Sequence, residues 1–374
     1  MQPASPSQEK KSQMTSTPQT QLEEKMFALV YHGPGQRRWE EKAKPTIQQP
    51  TDAILKIVKT TICGTDLHIL KGDVPEVKPG TTLGHEGIGI IEAVGEGVHN
   101  FKPGDRALIS CITSDGRCEY CKKAMYSHCE NGGWILGHLI DGTQAEYVRI
   151  PFADTSLYHV PVGADEDALT MLSDILPTGY ECGVLNGKVK PGDTVAIVGA
   201  GPIGLATLLT CQFFSPAQVI VIDVDDYRLE VAKKMGATTV INSNKENAFD
   251  KIQSLTNKKG VDVAIEAVGI PDTFDCCQQI IGAGGHIANI GVHGKSVELK
   301  LQDLWAKNIT ITTRLVDTES TSMLIKTVQA GKVQPRSLIT HHFKLNDAMK
   351  AYDVFGNAGK EHALKVILSN EPAH

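Results

Sequence analysis

The fold turns on Thr194-Val-Ala-Ile-Val-Gly-Ala-Gly-Pro-Ile-Gly204. A run of β-forming residues passes straight into Gly199-Ala200-Gly201-Pro202-Ile203-Gly204, and the chain stays apolar through Cys211. A lone Gly-x-Gly-x-x-Gly says little. One that ends a strand and opens a helix reads as a dinucleotide-binding turn. Gly199 makes the tight turn, Gly201 lets backbone approach a pyrophosphate, and Gly204 lets helix and strand pack closely. Pro202 sits in the first helical turn, where its missing N–H is harmless. The helix N-terminus then offers free N–H groups to phosphates. The next strand, Val219–Ile222, ends at Asp223, where a carboxylate would accept from an adenosine ribose. The plainer alternative is a structural turn with Asp223 capping a helix. Strand, glycines, helix, strand and acid falling in order favour the cofactor reading.

Outward from this turn, strand-like and helical runs alternate: TVAIVG then IGLATLLTCQFF, VIVIDV then YRLEVAKKMG, VDVAIEAVG then FDCCQQII. That alternation predicts an α/β fold, a doubly wound parallel-sheet domain over residues 178–314. Upstream the pattern differs. Ala53–Val58, Gly87–Val94, Arg106–Ile109 and Ala145–Ile150 are short β runs between Gly, Pro and Asp, so residues 26–177 read as an all-β, barrel-like unit. The stretch 315–374, with helices at 322–330 and 346–354 and a strand at 363–368, is expected to return to that unit. Residues 1–25 are rich in Ser, Thr, Gln and Pro and read as a disordered tail. Organellar targeting is the alternative, which the absence of Arg and of an apolar stripe disfavours.

Lys plus Arg is 37 against 43 Asp plus Glu, a net charge of −6, which gives no support for a nucleic-acid or membrane-surface partner. The most apolar stretch, Val195–Cys211, is broken by its glycines and Pro202 and does not read as a membrane span. Nine cysteines are an odd number and too few for a disulfide scaffold. Cys118, Cys121 and Cys129 crowd together behind Asp115, and this points to metal chemistry in a reducing, cytoplasmic compartment. Asp115-x2-Cys118-x2-Cys121-x7-Cys129 has the tight spacing with which one loop supplies a tetrahedral zinc site. A second, dispersed set is Cys63 in ICGTDLH, His85 and Glu86 in LGHEGIG, and Asp174 in MLSDILPTG. Taken singly these would be a core cysteine, a satisfied histidine and a helix cap.

The span Met26–Ser369 resembles the medium-chain, zinc-dependent alcohol dehydrogenases. Gly84-His85-Glu86-x2-Gly89 with Val94-Gly95-x-Gly97-Val98 is similar to that family's zinc signature, and Phe101-Lys102-Pro103-Gly104-Asp105-Arg106 to the turn after it. Asp174 matches the secondary-alcohol (isopropanol-type) subgroup. The resemblance implies a GroES-like β-barrel catalytic domain beside a Rossmann domain. It further implies a catalytic zinc on Cys63, His85 and Asp174, with Glu86 as fourth ligand or close neighbour. Thr65 would accept the alcohol proton and His68 would continue the relay. The cofactor set takes in Ile203, Arg228, Val268, Gly291 and Arg314 beside the glycines, Pro202 and Asp223. Asp115 departs from the family's four-cysteine lobe, so that zinc site is either Cys3Asp or empty. The expected reaction interconverts small secondary alcohols and ketones. NAD is expected rather than NADP, because Asp223, Asp225 and Asp226 crowd Arg228. A homo-oligomer, dimer or tetramer, is expected. A polyol or amino-alcohol dehydrogenase, or a non-catalytic descendant, stands as the alternative.

Overall fold

The computed structural model describes residues 24–370. Fifteen strands are defined: β1 Lys25–Gly33, β2 Gln36–Ala43, β3 Ala53–Ile62, β4 Gly87–Val94, β5 Arg106–Ile109, β6 Tyr147–Ile150, β7 Leu157–His159, β8 Thr194–Val198, β9 Gln218–Asp223, β10 Thr239–Asn242, β11 Val261–Glu266, β12 Ile281–Asn289, β13 Thr310–Thr313, β14 Ile339–Lys344 and β15 Lys365–Ser369. The four β runs expected upstream all form, two of them with the expected ends. They build a seven-stranded sheet in the order β14-β15-β3-β4-β5-β7, with β6 also paired to β3. β3 is buried along most of its length because strands flank it and side chains cover both faces. Its neighbour β15 is antiparallel, with Val366 opposite Ile62.

The second sheet is wholly parallel, in the order β10-β9-β8-β11-β12-β13. Helices Pro202–Cys211, Asp226–Lys234, Ala248–Leu255 and Pro271–Ile280 lie between its strands in sequence. Val195–Val198, Val219–Ile222 and Val263–Ile265 are buried without alternation, as strands covered on both faces must be. β8 and β11 are neighbours at the point where strand order reverses. In open α/β sheets the ligand crevice lies outside the carboxyl ends of the strands at that point. It is the place where β8 delivers the glycine turn.

Some elements differ from the sequence reading. Lys25 already opens β1, inside the expected tail; residues 1–23 of that tail lie outside the described residues. The β1–β2 hairpin escaped notice because β2, QRRWEEKA, is mostly charged and only half-buried. β10 has four residues, too few for a periodic signal. Gly179–Leu185 forms a π-helix at the passage into the parallel sheet. Among the described residues no helix is long and apolar enough to cross a membrane.

Candidate active site and metal centres

Cys63 is the N-cap of helix Gly64–Lys71, at the end of β3. Its backbone N–H donates to Asp66 Oδ2 (2.9 Å), which also accepts from Gln144 Nε2 (3.0 Å), and Tyr352 donates to Gln144 Oε1 (2.8 Å). This buried chain fixes where the thiol can stand. His85 and Glu86 lie just before β4. Gly84 ahead of them has φ +94°, and a Cβ there would strike Gln144 and Thr143, so glycine is required at the turn. Asp174 caps Ile175–Thr178 and accepts from Thr178 Oγ1 at 2.6 Å.

These separate turns converge. Donor atoms of Cys63, His85, Glu86 and Asp174 all lie within 4.8 Å of one another. His85 Nε2 is 3.3 Å and Cys63 Sγ 3.7 Å from Asp174 Oδ2. Tetrahedral zinc with N, O and S bonds of about 2.0–2.3 Å sets ligand atoms roughly 3.3–3.8 Å apart, so the donor set fits that ion. The electrostatics agree. Burial pushes the Cys63 thiol up, making its thiolate costly without a cation beside it. Burial also opposes charge on Asp174 and His85. His85 nevertheless holds Asp174 well below the carboxylate range, while Asp174 and Cys63 lift His85 well above the imidazole range. The cluster is built to attract positive charge.

Glu86 is engaged elsewhere as well. Lys365 Nζ donates to both of its oxygens, at 2.9 and 2.6 Å, and Thr61 donates to Oε2. Lys365 and Glu86 are each 1% exposed, so each charge depends on the other. Glu86 thus stands beside the cluster with both carboxylate oxygens tied back to a lysine, whereas Asp174 keeps Oδ2 toward Cys63 and His85 while Thr178 holds its Oδ1. Sequence reasoning missed Lys365 because nothing near it in the chain signals a metal site.

Thr65 and His68 line the same cleft, and Thr65 Oγ1 is 3.6 Å from Cys63 Sγ. His68 Nδ1 pairs with Asp73 at 2.9 Å, a partly exposed residue the sequence reading had not singled out. The cleft, of about 340 Å³, is otherwise mainly apolar, with Val74, Ile112, Trp134, Cys182 and Val316 in its walls. Gly201, Pro202, Ile203, Val268, Gly291 and Arg314 line it from the nucleotide side. A Cβ on Gly204 would strike the Gly199 carbonyl, the close helix–strand approach that the spacing implied. Asp223 Oδ2 accepts from Ala200 N–H (2.6 Å), and Oδ1 from the N–H groups of Val224 and Asp225 (2.8 and 2.9 Å). The following helix is capped by Asp225 instead. A Cβ built on Gly201 would lie 3.9 Å from Arg228 Nη1, so that guanidinium reaches the glycine turn.

The second cluster also assembles: Asp115, Cys118, Cys121 and Cys129 have donor atoms within 4.8 Å. Cys118 and Cys121 Sγ are 3.4 Å apart. Asp115 Oδ1 already accepts from the N–H groups of Arg117 and Cys118, and Oδ2 from Asn131 Nδ2. Burial works against its charge, yet these donors outweigh burial and hold it well below the usual carboxylate range. Asp115 therefore shapes the loop as well as facing its thiols.

A dinucleotide turn beside a Cys–His–carboxylate cluster defines a class, the medium-chain zinc-binding dehydrogenases. Residues 49–162 match the alcohol dehydrogenase GroES-like domain and residues 202–330 the zinc-binding dehydrogenase domain. An alcohol dehydrogenase of Cupriavidus necator is 36% identical over 363 residues, covering 92% of this chain and 98% of that protein. The chain belongs to the zinc-binding alcohol dehydrogenase family. It is similar to the solved zinc-dependent alcohol dehydrogenase 2 from Streptococcus pneumonia, with 57% identity, a TM-score of 0.89, and 93% and 99% of the two chains covered. An L-threonine 3-dehydrogenase of Shewanella putrefaciens is 32% identical over 85% of this chain and 92% of its own length.

Proposed function

We propose that the protein is a zinc-dependent dehydrogenase that interconverts small secondary alcohols and ketones with NAD, closest in kind to the isopropanol-type enzymes. The observation that carries this reading is one cleft lined at once by Cys63, His85 and Asp174 and by the glycine turn. When bound, zinc supplies Lewis acidity that lowers the pKa of an alcohol oxygen, and NAD supplies the hydride acceptor. The protein's own residues do the rest. Cys63, His85 and Asp174 hold the ion, and Lys365 restrains Glu86 from closing the site. Thr65 takes the hydroxyl proton and passes it through His68 and Asp73 to solvent. The apolar walls exclude water and leave little to bind a second hydroxyl or an ammonium group. The alcohol loses one hydride and one proton and becomes the ketone.

Asp223 supports NAD, since a carboxylate at the end of β9 is where the dinucleotide's adenosine ribose would lie and where NADP would bring its 2′-phosphate. The nine free cysteines suit a reducing, cytoplasmic location. Among the described residues β13 is the last strand of its sheet, and Leu301 and Trp305, a few residues before it in the chain, are 59% and 78% exposed, features that suit a homo-oligomer. A single-chain mass in solution would contradict that assembly. The substrate assignment is tested by initial rates with propan-2-ol, butan-2-ol, sorbitol and threonine under saturating NAD. The expected order puts both simple alcohols well above the other two. A preference for threonine or sorbitol would transfer the assignment to amino-alcohol or polyol oxidation.

A further inference from the structure

Arg314, Leu315 and Val316 form the cleft wall just after β13, in a segment that is neither helix nor strand. Two buried carboxylates hold it. Glu181, on the π-helix, is fully buried and accepts through Oε2 from the N–H groups of Asp317 (2.9 Å) and Thr318 (3.2 Å). Its Oε1 accepts from Ser320 N–H (3.0 Å) and Oγ (2.6 Å). Thr318 is held with φ +59°, a conformation that a non-glycine residue keeps only where its surroundings fix it.

Asp317, 5% exposed, faces two ways. Oδ2 accepts from Arg314 Nη2 at 3.0 Å. Oδ1 accepts from Ser127 N–H at 2.9 Å and Ser127 Oγ at 2.7 Å. Ser127 belongs to the short turn Tyr126–His128, between Cys121 and Cys129 of the second cluster. One buried carboxylate is therefore shared between the cysteine-rich lobe and the cleft wall. Such a group is stable only while its donors stay in place, because a buried acceptor left short of partners is strongly disfavoured. Displacing the 126–128 turn takes two donors from Asp317 Oδ1, and the carboxylate that loses them is one of two, with Glu319 (3.1 Å), that hold the Arg314 guanidinium.

We propose that Asp317 is a positioning residue that couples the cysteine-rich lobe to the nicotinamide cleft: an ordered lobe fixes Arg314–Val316 and so tightens dinucleotide binding. This rests on the reading that the cleft takes a nicotinamide dinucleotide. By linkage, a bound dinucleotide stabilises the lobe in return.

The test titrates NADH and NADPH separately into the zinc-loaded enzyme, following nucleotide fluorescence, for the unaltered chain, Ser127→Ala, Cys118→Ser and the double variant. Zinc content and melting are read on the same samples. Ser127→Ala is expected to raise Kd for the preferred nucleotide about tenfold while kcat at saturation moves far less. Cys118→Ser is expected to raise the same Kd, and the double variant to be no weaker in binding than Cys118→Ser alone, because both act through one path. Additive losses, or a lowered melting point with unchanged Kd, would overturn the coupling. If Cys118→Ser does not fold, an unchanged Kd in Ser127→Ala overturns it unaided. An unaltered enzyme that binds neither nucleotide removes the nicotinamide reading itself, and the coupling with it.

Discussion

Asp174→Ala is expected to lose both its zinc at the Cys63 cluster and its turnover, while the protein keeps its fold. Asp174 Oδ2 is the atom on which the site converges, 3.3 Å from His85 and 3.7 Å from Cys63. Removing it leaves two donors and a Glu86 already bonded to Lys365 and Thr61. Loss of groups that merely support metal ligands costs about 10–100-fold in affinity or activity, so loss of a ligand should exceed a hundredfold. The parallel sheet draws nothing from Asp174, whose bonded partners lie at the cleft. Far-UV circular dichroism should therefore be unchanged. The checks are zinc per chain and turnover, and near-normal values of both would withdraw Asp174 from the ligand set.

The second large effect concerns cofactor choice. The unaltered enzyme is expected to prefer NAD over NADP by at least about tenfold, equivalent to roughly 1.4 kcal/mol. A carboxylate facing a 2′-phosphate in a partly buried site is repelled with little screening. Asp223 is also a backbone anchor, accepting three N–H groups, so Asp223→Ser should weaken binding of either nucleotide. The informative quantity is thus the ratio of kcat/KM for NAD and NADP, in which that common loss cancels. Asp223→Ser should lower the ratio toward unity or below, helped by Arg228 beside the turn. An unaltered enzyme that favours NADP would overturn the assignment.

The sequence made the reactive residues legible but not the groups that place them. The glycine turn and its strand lie within eleven consecutive residues, and the clustered donor residues sit in short runs whose glycines mark turns. Local patterns of that kind carry their own physics. Lys365 is 279 residues from Glu86, and Ser127 is 190 from Asp317. Contacts at such a separation leave no local period or spacing: Lys365 reads alone as an ordinary surface charge, Ser127 as a polar loop residue, and nothing in the motif around Glu86 names its partner. Asp223 lies between these cases. Its position after a strand suggested a ribose contact, but its hydrogen bonds to the glycine turn needed three dimensions. β2 failed for another reason: one of its faces meets solvent, and charge there masks the strand pattern.

The central claim is that alcohol oxidation here needs zinc at the Cys63–His85–Asp174 cluster. The most direct measurement is the initial rate of NAD reduction by propan-2-ol before chelation, after removal of metal, and after zinc is restored. The rate is expected to vanish with the metal and return with zinc in proportion to the ion bound. An unchanged rate in protein shown to be free of metal would contradict the account.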